Sequence, residues 1–188
     1  KVASISSARI QVYFIDNDDF FQNRQYIRDN EGNEYADNDE RIIFFARGVL
    51  ETVKKLRWAP DVIHCHGWLS ALIPLYIKTA YKDEPAYREA KVVCTIYNDT
   101  FKENLNPEFV NKLLVKDLDI SQIGQFDTPI DYRSLIKNSI SFSDGVIFTQ
   151  DQPDKHLVDY CTGLGRKTLN IDPEQNNAPE ILNFYKSL

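Results

Sequence analysis

Short continuous hydrophobic runs alternate with longer amphipathic segments through most of this chain. The runs predict strands, because a strand of a parallel sheet is buried on both faces and is rich in β-branched residues. The predicted strands cover residues 9–15, 61–65, 91–96, 143–149 and 166–171. Their alternation with helices indicates an α/β fold, a Rossmann-like doubly wound parallel sheet with right-handed crossovers.

The segments that follow the strands have apolar residues at helical spacing. The clearest begins at Asp39, where Ile42, Phe45, Val49 and Val53 line one face, with acidic residues in the first turn and lysines in the last. The predicted helices cover residues 39–56, 68–79, 131–142, 153–161 and 178–186. They are long enough to cover both faces of the predicted sheet.

Two stretches interrupt this alternation. Residues 16–40 are strongly acidic and predict a long solvated excursion, and residues 98–130 have little periodicity. Neither resembles a linker, and no internal repeat is visible, so residues 1–188 predict a single domain. The chain contains no methionine, and we therefore expect an N-terminal portion of the natural protein to precede Lys1.

Composition narrows the class of protein. The net charge is −6 and the pI is about 5.1, which argues against a nucleic-acid partner, because no basic face is available to neutralise phosphates. No apolar run approaches the length of a membrane helix. No secretory signal is visible, and the three cysteines lack the spacing of a disulfide framework. We therefore expect a cytoplasmic protein with free thiols and no membrane partner.

Polar and aromatic residues follow the predicted strands. In open parallel sheets, ligands bind outside the carboxyl ends of the strands, so this set marks a candidate site. Its members are Asp16, Asn17 and Asp18 after the first strand, His64, His66, Gly67 and Trp68 around the end of the second, Tyr97, Asn98 and Asp99 after the third, and Thr149, Gln150 and Asp151 after the fourth.

The segment DVIHCHGWLSAL, residues 61–72, holds two of the three histidines of the chain. His64 and His66 are two residues apart on a strand and therefore point to the same side. They could chelate a metal, but a third protein ligand is hard to name, since Cys65 faces the other way. Alternatively they are packed histidines with satisfied ring nitrogens, or they donate hydrogen bonds to a sugar. Trp68 is either a core residue or a stacking platform for a sugar ring.

The sequence gives little support to a cysteine or serine nucleophile or to a phosphate-binding loop. Cys65 and Cys94 lie within apolar strands, where burial keeps a thiol inert. A serine nucleophile lacks the strand–Ser–helix elbow. No glycine-rich phosphate loop is present, and the GLGRK segment at residues 163–167 is better explained as a helix terminus.

Several of these segments, taken in order, resemble the N-terminal domain of bacterial glycogen synthases and plant starch synthases, glycosyltransferase family 5. The resemblance rests on YFID, on YADNDERIIFFARGVLETVKKLRWAPDVIHCHGWLSALIPLYIK and on KVVCTIYN. Members of the family have a strand ending FID, a segment Y-x-DN-x-x-RF, the motif HxHDW and a strand ending TIHN. The match covers about residues 11–100. Residues 135–150, LIKNSISFSDGVIFTQ, are similar to a later family segment.

The resemblance implies one half of a GT-B glycosyltransferase. Two Rossmann-like domains in this family enclose a cleft; the N-terminal one binds the growing α-1,4-glucan, and the other binds most of the ADP-glucose donor. The reaction retains the anomeric configuration and needs no metal. We therefore expect no cofactor, with ADP-glucose as the donor substrate, and an α-glucan acceptor as partner. Two further partners are possible: a separate chain that carries the donor-binding domain, or a second copy of this chain in a homo-oligomer.

This sequence departs from the family motifs at several positions. The HDW motif reads His66-Gly67-Trp68, and Leu69 follows where the family has His or Gln. In the TIHN motif, Tyr97 replaces the histidine. Leu69 can offer no hydrogen bond to the charge that develops in a glucosyl transfer, whereas glucan binding needs only an aromatic surface and a few polar groups, which His66, Trp68, Tyr97 and Asn98 could provide.

The sequence thus predicts a glycogen/starch-synthase-like domain of α-glucan biosynthesis that is not active as this chain alone. The alternative is a non-catalytic glucan-binding or regulatory module. The candidate substrate-binding residues are His66, Trp68, Tyr97, Asn98 and Asp16, and no metal-binding residues are predicted.

Overall fold

A four-stranded parallel sheet forms the centre of the protein. The computed structural model describes residues 1–114, 118–149 and 152–188. The strands are β1 (Val2–Ile5), β2 (Ile10–Tyr13), β3 (Val62–His66), β4 (Lys91–Ile96), β5 (Gly145–Phe148) and β6 (Lys167–Asn170). The α-helices are α1 (Asn38–Leu56), α2 (Ile73–Lys78), α3 (Phe109–Leu113), α4 (Tyr132–Ser141), α5 (Lys155–Gly163) and α6 (Ala178–Ser187).

Strands β3 to β6 pair in chain order, and all pairs are parallel. The parallel direction follows from the crossover connections, which return the chain to the same end of the sheet after each strand. The register places His66 opposite Thr95 and Thr95 opposite Ile147. The carboxyl ends of the strands therefore lie along one edge, as the sequence predicted.

The two faces of the sheet are covered by different elements. One face contributes Cys65, Cys94 and Phe148 to a large hydrophobic core that includes residues of α1, α2, α4 and α5. The other face contributes Val93 and Ile147 to a small cluster completed by α6. The expected α/β fold with helices on both faces is confirmed.

The prediction that residues 9–15 form the first strand of the parallel sheet is wrong. Strand β2 pairs antiparallel with β1 in a separate two-stranded sheet. Its Ile10 and the following Phe14 are about half exposed, so this hydrophobic run forms part of an exposed hairpin and not a central strand. Arg9, with φ 55°, adopts the left-handed conformation of the tight connection between the two strands.

Smaller differences concern where elements begin and end. The strand predicted for residues 61–65 extends to His66. The helix predicted for 68–79 is a 3₁₀ turn, Trp68–Ser70, followed by a short α2 with Pro74 in its first turn. The irregular region after β4 contains the short helix α3.

Candidate functional site

Two of the predicted site residues meet where β3 and β4 end side by side. His66 is the last residue of β3 and is paired with Thr95, so Tyr97 lies just beyond the neighbouring strand. The Nδ1 atom of His66 is 2.7 Å from the Tyr97 hydroxyl oxygen. His66 is exposed and Tyr97 is half-buried. This pair places two hydrogen-bonding groups at the surface of the carboxyl edge.

His64 lies on the same side of β3 as His66 and is enclosed by protein groups. Its Nδ1 is 2.5 Å from the Tyr185 hydroxyl, and its Nε2 is 2.5 Å from Oγ1 of Thr95. The two imidazole centroids are 4.0 Å apart. Burial, with a smaller effect of His66, lowers the pKa of His64 to about 4, and burial also lowers the pKa of His66. Both rings are therefore neutral at neutral pH, and His64 is a packed histidine.

This arrangement bears on the metal alternative. Both nitrogens of His64 already face protein hydroxyls. In the described parts of the chain, no group of three or more His, Cys, Asp or Glu side chains is placed to hold a metal ion. Freedom from metal stays a prediction; elemental analysis of the purified protein checks it, and stoichiometric zinc would contradict it.

The cysteines lie away from the histidines. Cys65 and Cys94 are buried free thiols that are paired in register on the opposite face of the sheet. Burial raises the pKa of both. They are therefore packed as small hydrophobic residues, and the geometry offers neither of them as a nucleophile.

Trp68 does not line an open pocket. Its side chain has no exposed surface, and its ring packs edge-to-face on Phe101 at a centroid distance of 5.2 Å and near Tyr26 at 6.0 Å. The structure thus places Trp68 in the core, which was the alternative interpretation of the motif. A contact between this indole and a sugar ring needs these aromatic neighbours to move.

Asn98 lies at an open cleft with Tyr97. The cleft, of about 680 Å³, is bounded by the N-terminal ends of α4 and α5 and includes Arg133 and Lys155. Nε of Arg133 is 2.6 Å from a carboxylate oxygen of Asp154, and Nζ of Lys155 is 2.5 Å from a carboxylate oxygen of Asp159, so two of the positive charges at the cleft are neutralised. Asn98 itself is exposed. A largely neutralised cleft with amide and hydroxyl groups fits an uncharged polar ligand.

The cleft residues on α4 and α5 were not identified from the sequence. A signal for them existed, because the helices that follow β4 and β5 in right-handed crossovers must begin at the carboxyl edge. Asp131 and Asp154 cap these helices and accept hydrogen bonds from the backbone N–H groups of Ser134 and His156. The basic residues just after these caps could therefore have been placed at the site.

Asp16 does not join this site through the parallel sheet. It is exposed and follows β2, which belongs to the separate hairpin. The expectation that it lies at the carboxyl edge of the parallel sheet is wrong, because that expectation required β2 to be a central strand. Gln150 and Asp151, from the same predicted set, lie outside the described residues.

A second, larger cleft lies beside the first. Its volume is about 880 Å³, and its lining includes Tyr35, Asn38 and Asp39 from the Y-x-DN segment together with Phe101 and Ile130. One oxygen of the buried Asp39 carboxylate is 2.8 Å from Nζ of Lys112. The Y-x-DN segment therefore lies in a cleft wall next to the site.

Taken together, fold and site define an α/β Rossmann-like domain that carries a polar and aromatic cluster at the carboxyl edge of its sheet. A solved structure shares this fold with a TM-score of 0.61: the catalytic domain of Starch Synthase IV from Arabidopsis thaliana bound to ADP and acarbose. It is 20% identical in sequence, and the alignment covers 81% of this chain and 32% of that one.

Residues 1–158 match the family model described as the starch synthase catalytic domain, and the chain belongs to that family. The glycogen synthase of Chlorobium luteolum is 40% identical over 120 residues, which are 63% of this chain and 24% of that protein. The glycogen synthase of Chlorobaculum tepidum is 34% identical over 160 residues, which are 85% of this chain and 32% of that protein.

The resemblance inferred from the motifs is thereby confirmed, and it extends further along the chain than residues 11–100. The matched region ends within α5, so β6 and α6 lie beyond it. The chain spans about a quarter to a third of the length of these relatives. Among the described residues, every helix is too short or too polar to cross a lipid bilayer.

Proposed function

We propose that this chain is the glucan-binding part of a retaining glucosyltransferase that extends α-1,4-glucan from ADP-glucose. Family membership supports the class of reaction. The observation that carries the proposal is the cluster of His66, Tyr97 and Asn98 at the open carboxyl edge of the sheet. Its partners are then a glucan acceptor and a nucleotide-sugar donor.

The chemistry of this cluster suits sugar hydroxyl groups. His66 is neutral at neutral pH, because the partial enclosure of its ring lowers its pKa while part of the side chain stays exposed. When the Tyr97 hydroxyl donates to Nδ1, Nε2 carries the remaining hydrogen, and within the described residues this atom has no protein hydrogen-bond partner. His66 then donates to a sugar hydroxyl, while the amide of Asn98 both donates and accepts. These contacts orient a glucan chain without placing a charge beside it.

Binding of maltooligosaccharides to this chain, measured by titration calorimetry, tests the proposal directly. His66→Ala and Asn98→Ala should each weaken binding about tenfold, the order expected for the loss of one or two directed hydrogen bonds in a site. Asn183→Ala, at an exposed position on α6, is the matched control and should bind as the wild type does. Equal affinity of all four proteins would contradict the site.

Glucosyl transfer is expected only from the full-length gene product. Leu69 is half-buried against the core and offers no hydrogen bond where the family motif has a polar residue. We expect the full-length product to incorporate radiolabel from ADP-glucose into glycogen, and this chain alone to incorporate no more than a boiled control. Incorporation by the isolated chain would contradict this expectation.

A non-catalytic glucan-binding or regulatory module is the alternative, and Gly67 and Leu69 favour it, since both replace polar motif residues. The same two assays distinguish the proposals. Oligosaccharide binding without glucosyl transfer by the full-length product would support the module, and binding with transfer would support the enzyme.

A further inference from the structure

Gly67, in the turn after β3, lies against a carboxylate from another loop. Its backbone has φ 68° and ψ 172°, a conformation that side-chain-bearing residues rarely adopt. A Cβ atom at this position would lie 2.9 Å from Oδ2 of Asp99 and 3.3 Å from the Tyr26 hydroxyl. The space next to residue 67 is therefore already filled by the Asp99 carboxylate.

The Asp99 carboxylate is held in an enclosed position. The residue is half-buried, and its Oδ1 is buried without a hydrogen-bond partner in the described parts of the chain. Burial raises its pKa, and the backbone N–H groups of Asp99 itself and of Trp68 oppose this rise. Its charge also contributes to the raised pKa of Tyr26, which is about 12. A solvated loop aspartate would have none of these features.

The ends of β3 and β4 explain how this exchange is possible. His66 is paired with Thr95, and the N–H of Gly67 donates to the carbonyl oxygen of Thr95 at 3.2 Å. The first residues beyond each strand therefore run side by side. A carboxylate that projects from either loop can reach the same point in space.

We propose that Asp99 takes the place of the aspartate that the HDW motif has at position 67. The carboxylate comes from the loop after β4 instead of the turn after β3. There it is a positioning residue, because it lies against the turn that joins His66 to Trp68 and holds His66 at the carboxyl edge. In this chain the carboxylate has then moved from position 67, after β3, to position 99, after β4, and the site keeps its carboxylate.

Two carboxylates do not fit this position together, since like charges about 3 Å apart strongly disfavour joint ionisation. Gly67→Asp alone should therefore lower the melting temperature by several degrees. Asp99→Ala alone should keep the fold but weaken maltooligosaccharide binding about tenfold, as expected when a charged hydrogen-bonding group that orders a site is removed. Both results are also expected if Asp99 only packs against the turn, so the test of the proposal is whether a carboxylate at position 67 can substitute for the one at position 99.

The decisive experiment compares two double variants, Gly67→Asp/Asp99→Ala and Gly67→Asn/Asp99→Ala. Asp and Asn have the same size and similar tolerance of a positive φ, so the pair differs only in the charge at position 67. We expect the first to recover most of the oligosaccharide affinity lost in Asp99→Ala and the second to recover little. Equal affinities of the two double variants would overturn the proposal.

The oligosaccharide measurement rests on the proposed function, so a second measurement is independent of it. A carboxyl group whose pKa is raised by folding stabilises the protein below its unfolded pKa, and this contribution is lost as pH rises through the folded pKa. The melting temperature of the wild type should therefore fall as the pH rises above about 4. This part of the pH dependence should be absent in Asp99→Ala. Gly67→Asp/Asp99→Ala should restore it, and the Asn double variant should not.

The two measurements have separate consequences. A wild-type chain that binds no oligosaccharide would contradict the glucan site, while the relocation would still be judged from the melting curves. Restoration of the pH dependence by both double variants, or by neither, would overturn the relocation whatever the ligand results.

Discussion

The two faces of the parallel sheet differ in how they are covered. On one face, Cys94 and Phe148 lie beneath several helices in a continuous hydrophobic core. On the other face, Ile147 meets one helix, α6, and polar side chains lie on the neighbouring strands beside this small cluster: His64 pairs with Val93, and Thr95 pairs with Ile147. We call the face that carries Cys94 and Phe148 the thick face and the face that carries Ile147 the thin face. The thick face holds most of the apolar contacts, and the thin face leaves room for a polar cluster at the carboxyl edge.

The difference also follows the boundary of the family match. The helices α1, α2 and α4, which build the thick face, lie within residues 1–158, whereas α6 lies beyond them. The contacts of α6 are few and specific: Phe184 packs over the sheet, and Tyr185 reaches His64. Four changes test whether the two faces contribute to stability as differently as their packing indicates.

The largest effect is expected at Trp68, which the thick core encloses. Trp68→Ala should lower the free energy of unfolding by about 3–5 kcal/mol, because it leaves a large cavity. Trp58→Ala is the matched control, since Trp58 is 59% exposed, and it should cost no more than about 0.5 kcal/mol. Thermal melting by circular dichroism measures both. If Trp68→Ala melts like the wild type and loses only oligosaccharide binding, Trp68 is a binding residue after all.

The next effect is expected where α6 approaches the sheet. A Cβ atom at Gly145 on β5 would lie 2.8 Å from Cζ of Phe184 and 3.0 Å from Cδ2 of Leu188. Gly145→Ala should therefore displace α6 and cost about 1–3 kcal/mol by overpacking. At Gly163 nothing lies within 4 Å, so Gly163→Ala should be neutral or slightly stabilising. Equal melting temperatures of the two variants would show that α6 contributes little to stability.

A smaller effect is expected from the titration of His64. Its pKa is about 4 in the folded protein and 6.5 ordinarily, so its stabilising contribution is present above pH 6.5 and is lost as pH falls towards 4. With allowance for the exposed part of the ring, the loss amounts to about 1.5 kcal/mol. His64→Gln should flatten the pH dependence of the melting temperature in this window. An unchanged pH dependence in His64→Gln would contradict this expectation.

The smallest effect is expected at the hydroxyl of Tyr185. Tyr185→Phe removes one partner of His64 and should cost about 1 kcal/mol, the usual value for one such hydrogen bond. Tyr13→Phe removes a hydroxyl whose partner is the exposed Gln11 and should cost less than about 0.5 kcal/mol. Chemical denaturation resolves a difference of this size. A Tyr185→Phe cost no larger than the control would mean that the hydrogen bond between Tyr185 and His64 contributes nothing measurable to stability.

Much of the thick face could be predicted from local patterns. Strands such as residues 91–96 are continuous apolar runs, and α1 has its apolar positions at helical spacing. Burial on both sides of a strand, or along one stripe of a helix, leaves a direct trace in the order of residues. The alternation of these patterns was sufficient for the fold class and for the edge at which His66 and Tyr97 meet.

The first strand shows where such reasoning failed. Residues 9–15 are as rich in β-branched and aromatic residues as a central strand, yet β2 pairs only with β1. Strand propensity describes a fit to a pleated surface and not the partner that supplies it. The expected place of Asp16 at the carboxyl edge of the parallel sheet followed from the wrong partner, and only this place in the sheet is corrected.

The sequence alone determined the strands of the parallel sheet, most of its helices and its carboxyl edge, because each of these depends on residues that are close together in the chain. Tertiary structure decided the rest. Trp68 became a core residue because Phe101 and Tyr26 enclose it, and burial lowers the pKa of His64, which a helix residue 121 positions away in the chain, Tyr185, contacts. The carboxylate beside Gly67 comes from a different strand end. Such contacts join distant segments, and periodicity within one segment carries no information about them.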